Sequence, residues 1–340
     1  MRRATTLVGL VAVLATAACG GAQDSAEPEL DPAKLTIYSS QHENVTQAWV
    51  DAFEKKTGEE VQIRFGKDSS MGHQLVEEGA DSPADVFLTE NSPAMTLVQD
   101  ADLLAPVDDT TLAQVPKDRA PSNGLWTSIA ARSTVLVYNP ELVDEADLPD
   151  SLMDLQDPEY QGKWGAGATG ADFQAIVAGM LELEGEQATA DWLTGLKDNA
   201  ELLQNNIVTM KAVNEGQLPM GVIYHYYWYR DQAASKEGSG NTKLKYFKNE
   251  DPGAFVSYSA GGVLKSSKHS AEAQDFLAFV TSKEGQQILT DSGAKEYTVA
   301  TGVEADADLP PLDSLEAPDI DPFTLDSEKV AELMTDAGVL

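Results

Sequence analysis

The chain has 340 residues, too many for one small domain and about right for two on a prior of ~150 residues per domain. Its composition, 42% hydrophobic and 23% charged, suits a packed core and excludes a disordered chain. With 56 Asp and Glu against 23 Lys and Arg, the formal charge of −33 argues against nucleic-acid binding, and the single Cys excludes a disulfide framework, a CxxC zinc site or a thiol pair.

Residues 1–18 read as an export signal. Arg2 and Arg3 form a basic start, Leu7 to Leu14 a short apolar run, and Ala17-Ala18 the small residues before Cys19. The run falls short of the ~20 residues that a spanning helix needs. Cys19 stands where a lipoprotein signal places its lipidated residue, although Thr16 is less apolar than such signals usually carry. The stretch GGAQDSAEPELD that follows has no hydrophobic period and reads as a flexible tether. Residues 19–33 are therefore expected to hold an extracytoplasmic body to the outer face of the cell membrane by a lipid anchor.

The body opens with an alternating strand over Leu35 to Ser39. Val45, Ala48, Trp49, Ala52 and Phe53 then recur at helical spacing, with Gly58 as the stop. A strand at Val61 to Phe65, a polar helix near Met71 to Glu78 and a strand at Ala84 to Leu88 follow, the last ending at Thr89-Glu90-Asn91. Strands alternating with helices predict an α/β fold with a parallel sheet, whose ligands sit beyond the carboxyl ends of strands. His42 and Glu90 lie just past such ends. Further on, strands are predicted at Leu136 to Tyr138, Trp164 to Ala168 and Pro219 to Ile223. Helices are predicted at Asp172 to Leu183, Glu186 to Asn199, Ala271 to Val280 and Lys283 to Leu289, and Ala305 to Asp321 reads as an irregular surface crossing.

Four of the ten tyrosines fall within Tyr224-His225-Tyr226-Tyr227-Trp228-Tyr229. Packing alone rarely needs adjacent tyrosines, because each buried hydroxyl demands a partner. A phenolate pair is a hard anionic oxygen site for a highly charged cation, which displaces protons that otherwise leave near pH 10. Neighbours on a regular strand point to opposite faces, so Tyr226 and Tyr227 share one ion only at a strand-to-helix turn, where the pattern puts them. His225 is expected to be structural, and His73 and His269 to be solvated.

The segments LTIYSSQHENVTQAWVDAFEKKTG, SPADVFLTENSP, VLVYNPE, NNIVTMKAVNEGQLP, YHYYWYR and DPGAFVSYSAGGVLK span nearly all of the body. In content, order and spacing the chain resembles the periplasmic ferric-ion-binding proteins of ABC iron importers, the bacterial analogues of transferrin. The resemblance implies a two-lobed periplasmic-binding-protein fold of type II, with one lobe from residues 34–133 and 257–306 and the other from 134–256 and 307–340. It makes His42 and Glu90 the ligands from one lobe and Tyr226 and Tyr227 those from the other, with Fe3+ as cargo, a membrane permease as partner and a monomer as the working form. Three oxygen donors of four suit a hard ion.

The two remaining octahedral positions are implied to take water and a small synergistic anion such as phosphate or carbonate. The anion would rest on Thr169-Gly170-Ala171 at a helix start, a natural anion cradle, with Asn206 as a further contact. Two positions depart from the family pattern: Tyr224 stands where Asn is usual, and Asn91 where Gln is frequent. Asp172 adds a negative charge beside the cradle unless it caps the helix. Gly165 to Gly170 also matches GxGxxG, but a second helix rather than a strand follows, which argues against a dinucleotide fold. The rival readings are the same fold with an organic anion, a phosphonate or an iron chelate as cargo, and an exported enzyme. No acid/base or nucleophile set supports the latter.

Overall fold

Alternation of apolar side chains starts β1 (Leu35–Ser39), and the helical stripe of Val45, Trp49 and Phe53 forms the buried face of α1 (Glu43–Thr57). Gly58 ends that helix at φ +80°, a left-handed conformation that glycine adopts without a Cβ penalty. The computed structural model describes residues 30–321 and 324–340, so the export signal, Cys19 and most of the tether lie outside the described residues. The chain continues with β2 (Val61–Phe65), α2 (Asp68–Glu78), β3 (Val86–Leu88), α3 (Ser92–Asp100), β4 (Leu104–Ala105), α4 (Asp109–Leu112) and β5 (Thr127–Tyr138). A second half follows: β6 (Trp164–Ala166), α5 (Ala171–Asn199), β7 (Ala200–Leu202), α6 (Asn206–Asn214), β8 (Met220–Tyr224), α7 (His225–Ala234) and β9 (Lys243–Lys245). The return is made by β10 (Val256–Leu264), α8 (Ser270–Thr281) and α9 (Lys283–Asp291), and α10 (Ser327–Asp336) comes after it.

Among the described residues the strands form one sheet in the order β2-β1-β3-β10-β5-β8-β6-β7, with β4 on β10 and β9 on β5. The expected parallel pairing holds within each half, at β1 with β2 and β3 and at β6 with β7 and β8. It fails at the centre, where β5 and β10 run antiparallel to each other and to their other neighbours. The reason is topological. β10 brings the chain back from the second half, so it enters the sheet against the local direction.

One strand joins the halves. Thr127 to Ser133 of β5 pair with β10, and Thr134 to Tyr138 pair with β8. Only the apolar end of this strand was expected, because Arg132, Ser133 and Thr134 break the hydrophobic run although they are fully buried. The two helices expected at 172–183 and 186–199 are α5, broken at Gly185 with φ +81°.

Each half carries its own apolar core. In the first, Phe53 meets Phe276 edge-on at 5.2 Å, and Trp49 donates to the Gly285 carbonyl at 2.7 Å, which ties α1 to α9. In the second, Trp192 stacks on Phe173 at 6.1 Å and donates to the Leu152 carbonyl at 2.9 Å. Burying each such aromatic is worth about 1.5–3 kcal/mol. These cores leave the carboxyl ends of β1 and β3 and the start of α7 facing one cleft.

Candidate metal centre

Just past β1, His42 forms the N-cap of α1, with no hydrogen bond from its side chain to the helix. Its backbone N–H donates to Gln41 Oε1 at 2.7 Å, while Gln41 Nε2 donates to Ser259 Oγ at 3.0 Å and to Glu296 Oε2 at 3.2 Å. His42 Nε2 is buried without a hydrogen-bond partner. It lies 3.9 Å from Glu90 Oε1 and 3.5 Å from Glu296 Oε1. Burial holds the imidazole below its ordinary value, against the pull of Glu296. A neutral imidazole nitrogen without a hydrogen-bond partner is chemically able to serve as a metal donor.

Glu90 follows β3. Its N–H and that of Asn91 each donate to the carboxylate of buried Asp68 at 2.8 Å, which fixes the turn that presents the Glu90 side chain. Burial raises Asp68 to about 6 even so. Glu90 is pushed well above the usual carboxylate range by burial and then by the Asp172 charge.

Tyr226 and Tyr227 lie in the first turn of α7, directly after β8, at the strand-to-helix turn expected from sequence. Their rings stack with centroids 4.1 Å apart. Tyr226 donates to Glu90 Oε1 at 3.1 Å, and Tyr227 donates to Asp172 Oδ2 at 2.9 Å. Both phenols are raised well above their ordinary value by burial first, then by Asp172 and Glu90. Without a cation they are firmly protonated.

Asp172 does not cap α5, whose N-cap is Gly170. Its carboxylate accepts from Asn91 Nδ2 at 3.0 Å and from Asn206 Nδ2 at 2.7 Å, in addition to Tyr227. Both amides expected to contact an anion are thus engaged by a side chain of the protein. Thr169, Gly170 and Ala171 line a neighbouring cleft of ≈ 540 Å³ together with Glu90, Asp172 and Tyr227. Tyr224 is fully buried, its hydroxyl 3.5 Å from Asn91 Oδ1, which also accepts from Ser257 Oγ at 2.8 Å.

Sequence reasoning missed the groups behind the donors. Arg132 and Glu296 form a fully buried ion pair, and the guanidinium sits 5.6 Å from the Tyr226 ring centroid. Burial alone would raise Glu296, but Arg132 and His42 outweigh it and hold the carboxylate below its usual range. A lone arginine inside an otherwise strand-like run was the available signal, since a buried charge needs a buried partner. His225 is structural as expected: fully buried, and held near a pKa of about 3 by burial. His73 is exposed. His269 departs from expectation, being half-buried with Nε2 3.1 Å from the Pro32 carbonyl. Among the described residues no group of three or more His, Cys, Asp and Glu could hold a metal ion, so the phenols are what distinguishes this cluster.

The model of a family described as bacterial extracellular solute-binding proteins matches residues 81–323. A Serratia marcescens "Fe(3+)-binding periplasmic protein" is 55% identical over 306 residues, covering 90% of either chain. The "Major ferric iron-binding protein" of Neisseria meningitidis serogroup B is 34% identical over 310 residues, 90% of this chain and 93% of that one. Among solved structures, iron-bound HitA from Pseudomonas aeruginosa superposes with a TM-score of 0.84 at 44% identity, over 90% of this chain and 100% of that one. Neighbours of this kind are two-lobed, in keeping with a sheet whose halves meet at β5. The match over most of the body, with these relatives beside it, places the chain: it belongs to the bacterial extracellular solute-binding proteins.

Proposed function

We propose that this protein captures ferric iron outside the cytoplasm, in a cleft between two lobes, and delivers it to an ABC permease. His42, Glu90, Tyr226 and Tyr227 are the protein ligands. The observation that carries this reading is the spacing of the donors. Neighbouring corners of an octahedron with bonds of ~2.1 Å stand ~3.0 Å apart. Tyr226 Oη to Glu90 Oε1 is 3.1 Å and His42 Nε2 reaches 3.9 Å from Glu90 Oε1, while the Tyr227 ring stacks on Tyr226 at 4.1 Å and its hydroxyl is held by Asp172, which is not one of the four. A trivalent ion at their centre replaces the phenolic protons and reverses the electrostatics that now keep the phenols neutral. The names of the Serratia and Neisseria relatives and the iron in the Pseudomonas structure support the same cargo.

The lobes are taken as residues 34–133 with 257–306 and 134–256 with 307–340. Each supplies two ligands, so the bound ion favours the closed arrangement. The role is binding rather than catalysis, carried out as a monomer tethered through lipidated Cys19 after removal of residues 1–18.

The anion invites a second reading, favoured by one observation. Asn91, Asn206 and Tyr227 all donate to Asp172, so this carboxylate takes the side-chain amides expected to contact free phosphate or carbonate. The site then carries its own anion, and an exogenous one enters only by displacing Asp172. Adding Fe3+ to the iron-free protein tests both readings. A visible phenolate-to-iron absorption at one ion per chain is expected, at equal strength with and without phosphate or carbonate. No absorption would refute the iron reading, and absorption only with added anion would return the anion to the cradle.

A further inference from the structure

The edge of β5 that faces α7 changes partner midway. Ala131 exchanges both backbone hydrogen bonds with Tyr297, at 3.0 and 2.9 Å. From Thr134 onward β8 takes over, with Thr134 opposite Tyr224. Between the two, the Ser133 N–H has no strand to meet, and a buried amide left unpaired would cost about 1–3 kcal/mol. The His225 ring fills the gap. Its Nδ1 accepts the Ser133 N–H at 3.1 Å, and its face stacks on Tyr297 at 4.7 Å.

The location gives this contact its meaning. His225 is the first residue of α7, immediately before Tyr226 and Tyr227. Ser133 is the last β5 residue paired with β10, next to Arg132, whose partner Glu296 adjoins Tyr297. One imidazole therefore bridges the point where the halves of the sheet meet and the turn that presents the phenols. We propose that His225 is a positioning residue: it seats the Tyr226–Tyr227 turn on the joint between the halves, so that the phenol oxygens stay in register with His42 and Glu90. The proposal rests on the reading of Tyr226 and Tyr227 as iron ligands. Altering a group that orients a metal ligand typically costs roughly 10–100-fold in retention.

The test compares the full exported chain with His225→Leu, which removes the acceptor, and His225→Gln, whose side-chain oxygen can take the Ser133 N–H. Each is loaded with Fe3+ supplied as ferric nitrilotriacetate, and the absorption band and the rate of iron loss to excess chelator are read. The expected result is a shifted or weakened band and roughly 10–100-fold faster loss for His225→Leu, with most of the difference recovered in His225→Gln. A folded His225→Leu protein with the wild-type band and rate overturns the proposal, as does a Gln variant as impaired as Leu. A wild-type chain without any band overturns the iron reading and this proposal with it, whereas a wild-type band that is indifferent to His225 overturns the positioning role alone. Should His225→Leu fail to fold, hydrogen exchange in the wild-type chain decides. The segment around Ser133 should exchange roughly tenfold more slowly once iron is bound, and equal rates overturn the proposal.

Discussion

The two walls of the cleft present the proposed donors by different devices. On one wall, His42 and Glu90 stand in short turns after strand ends, where the backbone alone does not aim a side chain. They are braced from behind: Gln41 and Glu296 hold the His42 turn, and the Asp68 carboxylate takes the two amides that set the Glu90 turn. On the other wall, Tyr226 and Tyr227 project from the first turn of a helix, where backbone geometry sets their direction and ring stacking locks it. The difference teaches that a turn-borne ligand is only as precise as its supports, while a helix-borne pair depends mainly on where the helix is anchored.

The largest expected effect comes from emptying the helical wall. Replacing Tyr226 and Tyr227 together by Phe should remove the visible band and weaken retention beyond the roughly 100-fold limit typical of supporting groups. Titration against a competing chelator measures it. A double variant that still binds tightly and retains colour would mean that the walls do not share one ion.

Asp172 touches both walls, accepting from Tyr227 on the helical side and from Asn91 beside Glu90 on the other. Asp172→Ala should weaken iron binding roughly 10–100-fold in anion-free buffer, and phosphate or carbonate should restore it by occupying the amides of Asn91 and Asn206. Equal loss at every anion concentration would make Asp172 an ordinary ligand with no bearing on anions.

The braces of the turn-borne wall come next. Asp68 sits at about 6, raised by burial in spite of its two backbone hydrogen bonds. The folded iron-free chain therefore keeps a proton that the unfolded chain releases from about pH 4 upward. Stability falls as pH rises through that window and levels off above about pH 6, a change of at most about 3 kcal/mol from this group. Asp68→Asn should flatten the change in urea midpoint across the window and, by loosening the Glu90 turn, speed iron loss roughly tenfold. Wild-type and variant midpoints that move in parallel would remove Asp68 from the account.

The smallest effect is expected at His42. Burial depresses its pKa, so protons compete with iron at this nitrogen only below the ordinary imidazole value near 6.5. Wild-type retention should therefore steepen its fall in that acidic range, and His42→Gln should lack the extra slope. Parallel release curves for the two proteins would leave a site of oxygen donors alone.

How much of this was legible depended on how local the signal was. The α1 stripe, the stop at Gly58, the break at Gly185 and the placement of two adjacent tyrosines at a strand-to-helix turn are written within a few residues of one another. The antiparallel centre was not legible. Arg132, Ser133 and Thr134 look like an interruption until β10, β8 and Glu296 close around them.

Composition and local pattern determined that the chain is an acidic α/β protein with adjacent tyrosines at a strand-to-helix turn, while His42 and Glu90 were expected beside them through the family resemblance. Side-chain type and short spacing decide such matters. Only the tertiary structure decided that Asp172 accepts the amides of Asn91 and Asn206, from 81 and 34 residues away, and that Arg132 meets Glu296 across 164. Pairings over such separations leave no periodic trace in the chain, because they form only when the sheet brings its two halves together around β5.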